Sequence, residues 1–273
     1  MAQPPKRSTD LDIVSPKNPQ VKALLRLQER RERDKTGRFS IEGLREVTRA
    51  QQAGIQLEQL YICPDYLREE ARASLRTVAA DIPSHSLSQA AFTRLSYREN
   101  PDGVLAVAAI PNTRLEDVKL PEQALILVLA ALEKPGNIGA LLRTADAAGV
   151  DAVLLSAEGT DIYNPNVIRA SMGSVFSRPV IAAPEAALRR WLQQQGLALV
   201  ATTPHTEQLY WQVDYRASVA IILGSEHQGL EESWLEPASL PVRIPMQGLA
   251  DSLNVATSGA LLLYEALRQR QGA

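Results

Sequence analysis

The stretch Ile244-Pro-Met-Gln-Gly-Leu-Ala-Asp-Ser-Leu-Asn-Val-Ala-Thr-Ser-Gly259, with the apolar run that follows it, decides the reading of this 273-residue chain. A turn-rich loop empties into a helix. Val255, Leu261, Leu262 and Leu267 recur at helical spacing and predict a helix that buries them. Around it, Gly248 offers backbone geometry barred to other residues, Ser252 can cap a helix starting near Leu253, and Asn254 places an amide in the first turn. Free amides at such a start can face a ligand. A well-capped C-terminal helix accounts for part of this pattern and leaves the loop unexplained.

Two other segments carry the same excess of detail. Ser218-Val-Ala-Ile-Ile222 is short, continuous and β-branched, as a buried strand is, and it runs into Leu223-Gly-Ser-Glu-His-Gln-Gly-Leu230, where Gly224 and Gly229 bracket a charged turn. Leu125 to Ala131 is a second such strand, followed by Glu133-Lys-Pro-Gly-Asn-Ile-Gly-Ala-Leu-Leu-Arg-Thr-Ala-Asp-Ala-Ala-Gly149, a helix carrying Arg143. Both place polar groups at strand C-termini, the edge of a parallel α/β sheet where ligands bind. The dinucleotide fingerprint GxGxxG is missing, which argues against a Rossmann-type enzyme.

The front half alternates strand and helix on its own account. Asn18-Pro19 opens a helix that runs to Gly37; Phe39–Ile41 is a strand, Leu44–Gln52 a helix, Leu57–Ile62 a strand, and Asp65 to about Ala79 a helix. A short strand near Ser84, a helix from Ser88 and the strand Val104–Ala109 close the series, which indicates a separate compact α/β domain. The expected division is a disordered lead over 1–12, a domain over 13–109, a proline-bracketed linker over 110–122 and a second domain over 123–273.

Composition narrows the class. The 45% hydrophobic content suits two ordinary cores. The single cysteine, Cys63, excludes an internal disulfide, and three scattered histidines offer no metal cluster, so no metal and a cytoplasmic setting are expected. The longest aliphatic run, Ala124 to Leu132, is far short of the ~20 residues a membrane span needs. The net charge of −2 hides an asymmetry: residues 1–54 hold twelve Lys/Arg against seven Asp/Glu, residues 111–273 twelve against seventeen. Lys22, Arg26, Arg30, Arg31, Arg33, Lys35 and Arg38 form a basic stretch, interleaved with Glu29, Glu32 and Asp34. Charge alone fits intrahelical pairing on a solvated face as well as it fits an RNA footprint.

In this order and at these separations, Asn137-Ile-Gly-Ala-Leu-Leu-Arg143-Thr, Gly224-Ser-Glu226-His-Gln-Gly-Leu and Ile244-Pro-Met with Ser252-Leu-Asn254-Val resemble the three motifs of the SpoU/TrmH branch of the SPOUT superfamily of RNA methyltransferases. Val255-Ala-Thr-Ser departs from the family's more usual serine and small apolar residues, which touches helix packing more than chemistry. Ser15-Pro-Lys-Asn-Pro-Gln-Val-Lys-Ala-Leu, Gly37-Arg-Phe and Ile41-Glu-Gly-Leu-Arg-Glu-Val are similar to the substrate-binding domain of many SpoU members, which resembles small RNA-binding ribosomal proteins. That second resemblance tips the basic stretch toward RNA contact.

The resemblance implies a parallel-sheet catalytic domain with a deep C-terminal trefoil knot, a homodimer, and S-adenosylmethionine bound by Leu223, Gly224, Ile244, Met246, Gly248 and Leu253. It implies transfer of the methyl group to a ribose 2'-hydroxyl, with ribosomal RNA ahead of tRNA, and gathers Asn137, Arg143, Glu226, Ser252 and Asn254 around the reacting atoms. A guanidinium stays protonated, so Arg143 is expected to bind phosphate and polarise the hydroxyl rather than take its proton. A surface salt bridge from Arg143 to Asp146 is the competing reading. Arg169, Ser171 and Gly173 form a further polar cluster, either an edge of the RNA path or a capped turn. A SPOUT-like assembly protein without turnover, and a nucleotide-binding enzyme without RNA, are the readings from other classes.

Overall fold

The computed structural model describes residues 12–156, 161–225, 229–235 and 239–272, so the expected lead up to residue 11 and the motif residue Glu226 lie outside the described residues. The chain forms two compact units, one comprising the chain up to Asn112 together with Tyr163–Phe176, the other Thr113–Ile162 and everything from Ser177.

In the first unit Asn18 caps helix α1 (Pro19–Arg26) by accepting the Gln20 amide at 2.8 Å. The single helix expected from Pro19 to Gly37 is instead two, because α2 starts afresh at Arg30 and runs to Thr36. Leu27, between them, is buried, and the Arg33 guanidinium turns inward to donate to the Leu27 carbonyl at 2.6 Å, satisfying one of the oxygens freed at the end of α1. Gly37 then ends α2 in the left-handed region, at φ 64°. There follow β1 (Arg38–Glu42), α3 (Leu44–Gln52), β2 (Leu57–Ile62), α4 (Glu69–Val78), β3 (Ser84–Ser86), α5 (Gln89–Leu95) and β4 (Val104–Ala109). The sheet order is β1-β4-β2-β3, with β4 antiparallel to both β1 and β2, and β3 parallel to β2. Val21, Leu24, Leu87, Phe92 and Leu105 pack one face of it.

The second unit contains β5 (Leu125–Leu129), α6 (Pro135–Ala147) and β6 (Ala152–Ser156); helix α7 (Pro165–Ala170) follows in sequence, and then β7 (Val180–Ala183), α8 (Glu185–Gln194), β8 (Ala198–Thr202), β9 (Val219–Leu223), β10 (Ser239–Val242) and α9 (Val255–Arg270). The sheet, in the order β10-β8-β9-β5-β6-β7, is parallel throughout. Every residue of β5, β6 and β9 is buried, which is why these strands read as unbroken apolar runs: helices cover both faces of a parallel sheet. Within the chain segment that was expected to bridge the domains, Leu115 is buried in this second core.

Helix α7 and its flanks belong to the first unit. The Phe39 ring lies 4.5 Å from that of Tyr163 and 6.1 Å from that of Phe176, and Arg49 donates to the Met172 carbonyl at 2.8 Å. Two expectations for α9 are corrected. Its cap is Asn254 and not Ser252, since three cap-competent residues stand within four positions and it is the Asn254 oxygen that accepts the Ala256 amide, at 2.9 Å. Leu261 is 37% exposed: the buried face is Val255, Gly259, Leu262, Leu263 and Ala266, and Leu261 falls one step round the helix.

Candidate functional site

A cavity of about 610 Å³ opens at the C-terminal ends of β8, β9 and β10, within the range of small-molecule sites. Its apolar wall includes Leu223, Leu230, Ile244, Met246 and Leu253. Immediately after β9, Ser225 and Gly229 close a tight ring by exchanging two backbone hydrogen bonds of 3.0 Å. Gly224 sits under that ring so closely that a Cβ there would overlap the Gly229 carbonyl, so only glycine lets the main chain line the cavity at this point. Gly248 differs: its φ is not in the left-handed region, a Cβ would meet open space, and it is not among the residues lining this cavity.

The structure brings Ser252 and Asn254 to the cavity and leaves Asn137 and Arg143 outside its wall. Asn137 is tied to it indirectly, because the Asn254 amide donates to the Asn137 side-chain oxygen at 3.2 Å. Close packing of α6 on α9 makes that contact possible. Gly259 faces Leu141 and Leu223 with no room for a side chain. Arg143 is exposed on α6, and among the described residues it has no hydrogen bond or ion pair, so the surface salt bridge with Asp146 does not form. Ser171 is fully buried and donates to the Ile168 carbonyl at 3.0 Å, a capped turn, whereas Arg169 is exposed.

Sequence reasoning missed Thr202, Thr203, His205, Arg243 and Asp251, all in the cavity wall. A signal existed for the first three: Ala198-Leu-Val-Ala ahead of Thr202-Thr-Pro-His is another buried-strand run ending in polar residues. Arg243 is held by Glu207 at 3.1 Å, and Asp251 is the one carboxylate among the described wall residues.

On the basic stretch the structure separates the residues. Lys22, Arg31 and Lys35 are exposed; Arg26, Arg30 and Arg38 stand near Glu32 at 3.8 Å, Asp34 at 3.7 Å and Glu58 at 2.6 Å. Arg33 is 1% exposed and cannot meet a phosphate, a correction whose cause is its inward bond to Leu27.

The sequence matches the model of the SpoU rRNA methylase family over residues 124–264 and that of an MRM3-like substrate binding domain over residues 18–106. The chain belongs to the SpoU family. Its SpoU relatives include the 23S rRNA (guanosine(2553)-2'-O)-methyltransferase of Bacillus subtilis, 33% identical with 92% of this chain and 97% of that one covered. A crystal structure of an RNA 2'-O ribose methyltransferase superposes with a TM-score of 0.83 at 52% identity, covering 95% of this chain and 99% of the other. The AdoMet-bound rRNA methyltransferase from Sinorhizobium meliloti gives a TM-score of 0.84 at 33% identity, covering 94% and 97%.

Proposed function

We propose that this protein transfers the methyl group of S-adenosylmethionine to a ribose 2'-hydroxyl of ribosomal RNA. The observation that carries this is the cavity itself: two of the three motif segments, the loops after β9 and β10, converge on it, and Gly224 forms a backbone cradle that a side chain would fill. The donor set suits such a cofactor, with an apolar wall for an adenine, threonine hydroxyls, the Asp251 carboxylate and the Arg243 guanidinium. Bound there, S-adenosylmethionine supplies an activated methyl group on a sulfonium. The chain's own part is to hold that group still, keep water away and orient the acceptor hydroxyl against it. Asn254, fixed as the α9 cap and joined to Asn137, offers a rigid amide at the cavity edge.

The same reading includes a homodimer, a C-terminal trefoil knot and a cytoplasmic location. Leu261 and Tyr264 are exposed apolar residues at i and i+3 of α9, 37% and 51% accessible, which supports a second copy covering them. A second copy also answers the position of Arg143, exposed, without a partner among the described residues and outside the cavity wall of its own chain: the partner's arginine acts on the phosphate and hydroxyl. Mixed dimers test this. Arg143→Ala and Gly224→Val are each expected to be inactive, and mixing them should restore methyl transfer to 23S rRNA through the one intact composite site. No heat and no thermal shift with millimolar S-adenosylmethionine would remove the enzymatic reading altogether.

A further inference from the structure

We infer that the first unit carries an RNA phosphate-binding face made by Arg45, Arg49 and Arg169, and that this face, not α2, supplies most of its electrostatic grip. The inference rests on the reading of the protein as an RNA methyltransferase. Arg45 and Arg49 are exposed at positions i and i+4 of α3, so they share one side of the helix. The only acid in that helix, Glu46, is fully buried. Its carboxylate accepts from Arg45 at 2.6 Å and lies 3.0 Å from the Arg98 guanidinium; neighbouring Glu42, also buried, accepts from the Tyr97 amide at 3.2 Å. The Glu46 charge is thus drawn inside, where it holds one side of the exposed Arg45 guanidinium, while Arg49 is exposed with no carboxylate partner among the described residues.

Arg169 joins them through the chain that follows it. Gly173, at φ 81°, lies flat on α3, where a Cβ would come within 3.2 Å of Arg49 Cδ and 3.3 Å of Glu46 Cα. Met172 takes the left-handed region at φ 55°, unusual for a side-chain-bearing residue, and its carbonyl accepts from Arg49 while its amide donates to the Arg169 carbonyl at 2.9 Å. Arg169 is the one charged residue in Tyr163–Phe176 and has no partner among the described residues. Helix α2 differs in where its acids lie: Glu29 and Asp34 are exposed among its cations, Arg30 lies 3.7 Å from Asp34, and Arg33 is buried, whereas the acid that pairs with Arg45 is inside. Interleaved acids lower the local potential that drives counterion release; at α3 the one half-buried carboxylate is Asp102, which accepts the Leu44 amide at 2.8 Å at the start of the helix, and among the described residues no acid stands between Arg45 and Arg49 at the surface.

The test is a filter-binding titration of a 23S rRNA transcript over a series of salt concentrations. Arg45→Gln/Arg49→Gln/Arg169→Gln should lose about tenfold or more in affinity near 0.1 M salt, with the log–log salt slope smaller by about 1 for each guanidinium removed. Arg30→Gln/Arg31→Gln should lose less. Because removing Arg45 strips the buried Glu46 of a partner, Arg49→Gln/Arg169→Gln, which leaves that pair intact, is measured alongside with its melting temperature. A folded Arg49→Gln/Arg169→Gln protein with wild-type affinity and slope overturns the face while leaving the methyltransferase reading standing. A wild-type protein that binds S-adenosylmethionine but no RNA overturns both the face and the substrate class.

Discussion

The two sheets of this protein bury different things. Among the described residues, the buried polar side chains of the second unit are Ser156 and Ser239, whereas the first unit buries Arg33, Glu42 and Glu46 outright. The second keeps its polar groups at the strand ends, where backbone and short side chains line one cavity. The first invests charge in its interior, and a buried ion pair stabilises no better than apolar packing of the same volume. What those carboxylates achieve is position: they fix the β1–α3 corner, where Gly43 at φ 108° leaves room for Glu46 and Arg98 that any Cβ would fill. A concentrated chemical site and a dispersed charged face are two solutions to binding, and they respond differently to mutation.

The largest expected effect lies on the concentrated side. Arg143→Ala should lower single-turnover methyl transfer by about 10²-fold or more with cofactor affinity unchanged, and Arg143→Lys should recover little, since a point charge cannot reproduce a two-pronged contact. A near wild-type rate would take Arg143 out of the active site. Gly224→Ala comes next: the added methyl overlaps the Gly229 carbonyl, so calorimetry should show cofactor affinity reduced at least about tenfold, and an unchanged Kd would mean the ring after β9 is no cradle. Gly259→Ala pushes a methyl between Leu141 and Leu223 and should cost about 1–3 kcal/mol in chemical denaturation, a midpoint shift that a loosely packed α6–α9 pair would not show.

The smallest effect probes the buried charge. Burial raises the Glu42 carboxyl above its ordinary value of 4.5, against the hydrogen bonds from Ser96 and Tyr97 and the Arg98 charge that lower it. The folded protein therefore holds that proton more tightly than the unfolded chain does. Its contribution to stability is fully present below the unfolded pKa and is lost as pH rises through the folded one. Glu42→Gln should flatten stability against pH above about 4.5. If denaturation midpoints of the two proteins run parallel across that range, the carboxylate is better solvated than its burial indicates.

Much of the second unit was legible in the sequence because a parallel sheet covered on both faces leaves a plain trace: Leu125–Leu129 and Val219–Leu223 are apolar without a break, and polar loops follow each. Residue-level roles were less so. Gly224 and Gly248 look alike in a sequence, and only the position of Gly229 distinguishes a glycine under a backbone ring from one in open space. In the first unit the strands and α3 were readable, but charge was not, since Arg33 and Arg31 stand two apart in one basic run and differ only in which side of α2 they occupy. The allegiance of Tyr163–Phe176 could not be read at all. A six-residue helix with flanking loops has too little periodicity to name its tertiary partner, and the rings that seat it on Phe39 are more than a hundred residues away in the chain.

That interleaving governs the order of assembly during synthesis. The first sheet has all its strands once Ala109 is made, yet its unit stays incomplete until Phe176 has left the exit tunnel, well after β5 and β6. Strand β5 must wait longer still, because its other neighbour is β9, and Val219–Leu223 emerges some ninety residues later. At about 5–20 residues per second, the apolar strand Leu125–Leu129 spends several seconds with one edge open. The second unit is therefore the one a nascent chain is most exposed to misfolding in, and a translational pause that leaves β9 still inside the tunnel would lengthen its vulnerability.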